Sequence, residues 1–192
     1  MSFFAISIFM SCSKNDDTNN ETSGTSFVKD GKISGKIVNL PPDVNDFNII
    51  CTFHNEGYDY RNNLTFVVPA TKDEFSLDLP MFDSEDLYPI ESLGGTINND
   101  VAKYIKAHFR IDKGIKTNLE LESSSNYNIY VEFYYVDMDV KVSKEGNGED
   151  GIPVKWTLNL KKGWNKVLCK NITHTWTRST GNIPSDMVWR LQ

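Results

Sequence analysis

The sequence predicts an all-β protein, built as a β-sandwich or a partly closed antiparallel barrel of about eleven strands. From Phe27 onward, apolar and polar residues alternate with a period of two, which is typical of strands that bury one face. Clusters of Asn, Asp, Gly and Pro separate the alternating segments and mark turns. No apolar run reaches the roughly 18 residues that a membrane-spanning helix needs.

The first part of this region contains short alternating segments. They lie at residues 31–38, 48–53, 64–68 and 75–79. Pro69 and Pro80 directly follow the last two segments. Because proline has no backbone N–H group to donate within a sheet, it is expected where a strand ends. Residues 82–95 are acidic and are predicted to form a connecting loop with room for one helical turn.

Residues 101–111 fit either a strand or a helix. Their odd positions are mostly apolar, as in a strand, whereas a helix would gather Val101, Tyr104 and Ile105 on one face. We favour the strand because residues 112–115 resemble a hairpin turn and residues 117–122 then alternate strictly.

The alternation changes phase within residues 127–142. Apolar residues occupy odd positions up to Tyr135 and even positions from Val136 onward. Because a shift of one residue exchanges the two faces of a strand, we expect a β-bulge or sharp bend near Tyr135 and Val136. Asp137 and Asp139 would then accept hydrogen bonds from freed backbone donors. Further strands are predicted within residues 152–160, 167–169, 172–176 and 187–191.

Charge and motif content exclude several classes of function. The 192 residues contain 20 Lys and Arg against 26 Asp and Glu, a formal charge of −6, and the basic residues are scattered. This composition argues against nucleic-acid binding, which requires a basic stripe. His54, His108 and His174 lie in no zinc-ligand or hydrolase motif, and no acidic cluster matches a calcium loop. We therefore expect no catalytic residues, metal or cofactor.

Two cysteines within the predicted strands leave two possibilities open. Cys51 and Cys169 would form a disulfide in an oxidising compartment if their Cα atoms lie close enough. Both also lie on apolar strand faces, where a free thiol behaves as a small buried hydrophobe.

Aromatic residues are the best indication of a binding surface. Trp156, Trp176 and Trp189 share the phase of aliphatic neighbours and are predicted to be core residues. Trp164 falls in a predicted turn, where it would either fold back onto the core or stack on a ligand. The tyrosines that are also candidates for ligand contact are Tyr58, Tyr60, Tyr130 and Tyr134.

The amino terminus has the organisation of a lipoprotein signal. Residues 1–11 are uncharged and mostly apolar, Cys12 follows, and residues 13–26 contain no large apolar side chain. This order resembles a bacterial lipoprotein signal peptide, which implies acyl chains on Cys12, a flexible tether over residues 12–26, and membrane attachment. The segment Ser13-Lys-Asn-Asp-Asp17 resembles the signal that sends Bacteroidetes lipoproteins to the outer face of the outer membrane. The alternative is a short apolar strand with an incidental cysteine.

Two further resemblances concern the domain itself. Residues 31–38 (GKISGKIV) and 75–80 (FSLDLP) resemble strands of immunoglobulin-like or transthyretin-like modules, which implies an immunoglobulin-like sandwich. Residues 134–140 (YYVDMDV) and 160–165 (LKKGWN) resemble small Bacteroidetes surface lipoproteins. We expect one sandwich over residues 27–192, the alternative being two modules at 27–100 and 101–192.

The sequence thus predicts a surface-exposed, lipid-anchored protein without catalytic activity that binds a glycan or an envelope protein. One alternative is a β-fold glycan hydrolase, which would need two carboxylates at a defined separation in one cleft. Another is a structural subunit of a surface assembly, for which an unpaired strand edge or a broad apolar patch is expected.

Overall fold

The computed structural model describes residues 28, 31–61, 64–71, 74–112, 117–148 and 151–192, and this part of the chain is all-β as predicted. The predicted leader, Cys12 and the tether lie outside the described residues. The strands are β1 (Lys32–Gly35), β2 (Asp46–His54), β3 (Phe66–Thr71), β4 (Phe75–Asp78), β5 (Tyr88–Pro89), β6 (Thr96–Ile97), β7 (Lys103–Asp112), β8 (Thr117–Ser123), β9 (Ile129–Val136), β10 (Val140–Asn147), β11 (Pro153–Leu160), β12 (Gly163–Ile172), β13 (Thr175–Ser179) and β14 (Met187–Leu191). Two short 3₁₀ helices, Ser84–Asp86 and Ile90–Leu93, flank β5 within the predicted acidic loop. Neither described helix is long and apolar enough to span a bilayer.

A 12-stranded sheet forms most of the fold, with the order β3-β2-β7-β8-β9-β12-β13-β11-β10-β6 and with β14 on β8 and β5 on β7. Its strand pairs are antiparallel except for β11 and β13, which are parallel. Strands β7 and β9 pair directly over part of their length, and β8 pairs with both where they separate. Because β2 pairs with β7, residues before and after position 100 share one sheet.

Strands β1 and β4 form a separate two-stranded ribbon over one face of the large sheet. The ribbon is close to that sheet, since Val28 N donates to the carbonyl of Trp164 (2.9 Å) and the Trp164 indole donates to the carbonyl of Pro80 (2.8 Å). Phe75 of β4 also packs edge-on against Trp189, with ring centroids 5.3 Å apart. The main core therefore lies between the ribbon and the large sheet.

The predicted break near Tyr135 is present as a bend. Strand β9 ends at Val136 and β10 begins at Val140, and the chain passes from a position beside β12 to one beside β11. Asp137 accepts a hydrogen bond from Lys103 N (2.8 Å), and Asp139 accepts one from Lys162 N (2.9 Å). The two carboxylates therefore fix the bend to neighbouring segments of the chain.

Candidate functional site

Strand register collects an unusual set of polar side chains on the face of the large sheet opposite the ribbon. Residues directly opposite each other on paired strands project to the same side of the sheet. One row of such partners is His54, Lys106 and Tyr134, across β2, β7 and β9. A second row, across β9, β12, β13, β11 and β10, consists of Tyr130, Cys169, Arg178, Trp156 and Lys144. We call this side of the sheet the polar face.

Four charged side chains meet on the polar face and form what we call the ion-pair cluster: Glu56, Lys106, Glu132 and Arg178. Lys106 Nζ lies 2.8 Å from Glu132 Oε1 and 3.3 Å from Glu56 Oε1. Arg178 lies 3.0 Å from Glu56 Oε2 through Nη1 and 3.3 Å from Glu132 Oε2 through Nε. Each cation thus bridges both carboxylates, and the four formal charges sum to zero.

Two uncharged donors complete the coordination of the carboxylates. The Tyr134 hydroxyl lies 2.6 Å from Glu56 Oε1 and 3.0 Å from Glu132 Oε2. The Cys169 thiol donates to Glu132 Oε2 (3.2 Å). Both oxygens of Glu132 are therefore engaged, which satisfies the requirement that a buried charge be paired and hydrogen-bonded.

The electrostatics of the cluster favour its charged form. Burial alone would raise the pKa of Glu132, but the positive charges of Lys106 and Arg178 outweigh burial and hold it below its ordinary value. Burial alone would lower the pKa of Lys106, but Glu132 and Glu56 outweigh it and raise that pKa. The side chains are between 6% and 21% exposed, so the cluster lies at the base of the polar face with limited access to solvent.

Trp156 stands beside the cluster between two cations. Its ring centroid is 4.6 Å from Lys144 Nζ and 4.7 Å from Arg178 Cζ, and these residues are its partners on the two adjacent strands. The prediction that Trp156 and Trp176 are core residues holds only in part: both are half-buried on the polar face, and of the two only Trp156 packs against the hydrophobic core. Both tryptophans alternate in step with aliphatic residues of their own strands, which suggested a core position. The polar face, on which they lie, is only partly covered. Trp189 is a core residue as predicted.

The segment after β2, residues 55–61, brings two tyrosines to the surface, and we call it the tyrosine loop. Its turn is closed by Asn55, whose carbonyl accepts from Tyr58 N (3.2 Å) and whose Oδ1 accepts from Asp59 N (3.0 Å). Glu56 ties the loop down, through its side chain in the ion-pair cluster and through its backbone N, which donates to the Tyr104 hydroxyl (3.1 Å).

Tyr58 has the most unusual backbone of this loop. Its φ of 56° is in the left-handed region, which costs a residue with a side chain about 1–2 kcal/mol. The residue is nonetheless 67% exposed, and its ring lies nearly parallel to the His54 imidazole, at 5.1 Å between centroids. One ring face therefore packs on His54, and the other is open to solvent.

Tyr60, His54 and His108 complete an aromatic group around Tyr58. The Tyr60 ring is 4.9 Å from His54 and 6.5 Å from His108, and the two imidazoles are 6.0 Å apart. Burial lowers the pKa of both histidines, which favours their neutral forms. The group offers flat, uncharged surfaces with hydrogen-bonding edges.

Trp164, Tyr134 and Tyr130 are the other candidates for ligand contact, and none of them is exposed. Of the two roles left open for Trp164, packing on the core is the one found: its ring lies against Phe53, Phe82 and Tyr135, so it offers no stacking surface. Tyr134 is buried and acts as a hydrogen-bond donor within the cluster. Tyr130 is half-buried, with its ring edge-on to Trp176 at 6.5 Å.

The possible disulfide is absent. Cys51 and Cys169 are both buried free thiols, and they lie on opposite sides of the sheet because Cys51 faces Phe109 in the core whereas Cys169 faces the ion-pair cluster. Each cysteine alternates with apolar neighbours in its own strand, which predicts a buried face but not which face. Because both faces of the sheet are covered at these positions, the two cysteines are buried on opposite faces.

No group of three or more His, Cys, Asp or Glu residues in the described part of the chain is arranged to hold a metal ion. No protein-family model, curated protein sequence or solved structure matches this chain.

Proposed function

We propose that the protein is a lipid-anchored envelope protein that binds a glycan through the tyrosine loop. The observation that carries this proposal is Tyr58, an exposed aromatic residue held in a strained backbone conformation with one ring face open. Strain of this kind persists only where the surrounding structure imposes it, and it concentrates at binding sites. Aromatic faces flanked by polar groups suit a sugar, whose ring has apolar C–H faces and hydroxyl edges.

The ion-pair cluster supports this function by fixing the loop. Glu56 lies two residues before Tyr58, and its carboxylate contacts Lys106, Arg178 and Tyr134. A loop that is rigid before binding loses less conformational entropy when a ligand arrives, which increases affinity without adding contacts.

Hydrolysis of the glycan is less well supported than binding, although the cluster does contain two neighbouring carboxylates. A glycosidase needs one carboxyl group with a raised pKa as general acid and one free carboxylate oxygen. The pKa of Glu132 is lowered, and both of its oxygens accept hydrogen bonds from Lys106, Tyr134 and Cys169. The arrangement suits a neutralised structural group better than an acid and nucleophile pair.

The anchoring part of the proposal rests on the apolar leader, Cys12 and the polar tether. Replacing Cys12 by Ala removes the acylated sulfur and should move the protein from the membrane fraction to the soluble fraction. Retention of Cys12→Ala in membranes after a high-salt wash would refute attachment through that residue.

Glycan binding is tested with the full-length protein in detergent on an array of defined oligosaccharides. We expect Tyr58→Ala to weaken binding at least about tenfold, as for the central aromatic residue of a binding surface. Tyr127→Ala is the matched control, because Tyr127 is 76% exposed and lies in the segment between β8 and β9, outside the tyrosine loop. If no glycan binds, or if both variants bind as well as the original chain, the proposal is wrong. Chromatography of glycans after incubation detects hydrolysis, the alternative.

A further inference from the structure

Arg110 is a cation on the polar face without a counter-ion. It lies on β7, two residues after His108 and four after Lys106, so the three side chains project to the same side of the sheet. Its Nε is buried and has no hydrogen-bond partner. Among the described residues, no carboxylate lies within the 4.0 Å of an ion pair with Arg110.

This state is costly and contrasts with that of the neighbouring cations. Lys106 and Arg178 each contact two carboxylates, so their charges are compensated within the protein. Three acidic residues of β7 and β8 share the side of the sheet with Arg110: Asp112, Glu120 and Glu122. Glu122 pairs with Arg190 (3.0 Å), and none of the three pairs with Arg110. Arg110 is half-buried and its Nε is fully buried. Buried polar atoms are almost always hydrogen-bonded, so this unpartnered nitrogen calls for a partner from outside the chain.

Arg110 is also close to the aromatic group of the tyrosine loop. Its charge helps to lower the pKa of His108, after the larger effect of burial. The His108 ring is in turn 6.5 Å from the Tyr60 ring. Arg110 and the tyrosine loop therefore flank His108 from two sides, within the span of a short oligosaccharide.

We propose that the ligand of the tyrosine loop is an acidic saccharide, whose carboxylate or sulfate group pairs with Arg110 while a sugar ring stacks on Tyr58 or Tyr60. This proposal rests on the proposed function. The planar guanidinium presents donors in a fork that matches the two oxygens of a carboxylate or sulfate group. A neutral sugar would cover Arg110 without pairing it, so the same site discriminates against uncharged glycans.

The test compares saccharides that differ only in charge, on the full-length protein in detergent. An oligogalacturonate and its methyl ester form one pair, which probes carboxylate recognition. Dextran sulfate and dextran form the other, which probes sulfate recognition. An array of acidic and neutral glycans accompanies them, so that other linkages are sampled. The variants are Arg110→Met, which removes the charge, and Arg110→Lys, which keeps it without the fork.

We expect acidic glycans to bind preferentially, with affinity that falls as salt is raised. Arg110→Met should weaken this binding about 10- to 100-fold, and Arg110→Lys should restore part of it. Lys155→Met is the control for loss of one positive charge, because Lys155 is 62% exposed and lies on the opposite side of β11 from Trp156. It should leave binding unchanged.

Each other outcome overturns a defined part of the reasoning. If neutral glycans bind best, and Tyr58→Ala abolishes binding while Arg110→Met does not, the tyrosine loop is a glycan site but the acidic ligand is wrong. If Lys155→Met weakens binding as much as Arg110→Met, the attraction is nonspecific and the role of Arg110 is refuted. If no glycan binds, both proposals fail.

Discussion

Replacing Lys106 by Met should be among the most damaging single changes on the polar face. The side chain of Lys106 is only 6% exposed, and its ammonium group contacts Glu132 at 2.8 Å and Glu56 at 3.3 Å. Removing one partner of a buried ion pair leaves uncompensated charge and costs about 3–5 kcal/mol. In the variant, Arg178 would be the one remaining cation of the cluster beside two neighbouring carboxylates. We therefore expect the free energy of unfolding to fall by about 3–5 kcal/mol.

Urea denaturation followed by tryptophan fluorescence measures this loss. At a slope of about 2 kcal/mol/M, the urea midpoint should fall by roughly 2 M without a change of slope. Lys155→Met is the matched control, since Lys155 pairs with Glu145 at 3.8 Å on the surface, where such a pair contributes less than about 1 kcal/mol. The double variant Lys106→Met with Glu132→Gln removes both charges and should cost less than the sum of the single changes.

The dependence of the free energy of unfolding on pH tests the same interaction independently. Because the pKa of Glu132 in the folded protein is below its ordinary 4.5, this carboxylate stabilises the fold above that pH and loses its contribution as the pH falls. In Lys106→Met the pKa of Glu132 rises, so the stability difference between the two proteins should shrink on acidification. A loss of less than about 1 kcal/mol for Lys106→Met, together with additive double-variant effects, would refute the view that the cluster is coupled.

Three further predictions concern the backbone, the core and the thiols. Tyr58→Gly should be about 1 kcal/mol more stable to urea than Tyr58→Ala, because glycine adopts a φ of 56° without strain, and equal stabilities would contradict that strain. Gly35→Ala should cost about 1–3 kcal/mol, because its Cβ would collide with Cδ1 of Trp189, and an unchanged urea midpoint would show that the ribbon moves aside. Cys51 and Cys169 should react with a thiol reagent only as the protein unfolds, because both are buried and burial raises the pKa of each; rapid labelling in native buffer, located by peptide mass spectrometry, would contradict this.

Alternation in the sequence was sufficient to predict most of the strands, because a strand with one apolar face alternates apolar and polar residues. The two-residue strands β5 and β6 were not predicted, and β3 continues through Pro69, which was expected to end it. Strand β7 was correctly preferred to a helix, and the change of phase before Asp137 correctly located the bend between β9 and β10. Trp164 was harder to place. Its position after Gly163 predicted a turn, but its indole reaches the carbonyl of Pro80, a partner 84 residues away. A contact between residues so far apart in the sequence cannot be predicted from the pattern of neighbouring residues.

The ion-pair cluster could not be predicted for a related reason. Period-two alternation assigns one face of each strand to the core and the other to solvent, and it places Lys106 and Glu132 on the solvent side. Arg178 reaches them because β13 is inserted between β12 and β11, with a parallel pairing to β11 that is set by long-range topology. Glu56 comes from a loop. Opposite charges far apart in the sequence carry no signal that they will meet.

The stability of the fold alone does not explain why such a cluster is present. Apolar residues of similar volume often replace a complete buried ionic group at no cost in stability, although loss of one member is damaging. Apolar residues would not fix the position of Glu56, because apolar contacts have no preferred direction. Lys106, Arg178 and Tyr134 hold the carboxylate of Glu56 in one place, and Glu56 in turn holds the backbone that carries Tyr58. Because the charges of the cluster cancel, it fixes the loop without attracting a ligand of either sign. Arg110 has no ion-pair partner among the described residues, so in this proposal the choice of ligand depends on a residue that is separate from the group that positions the aromatic surface.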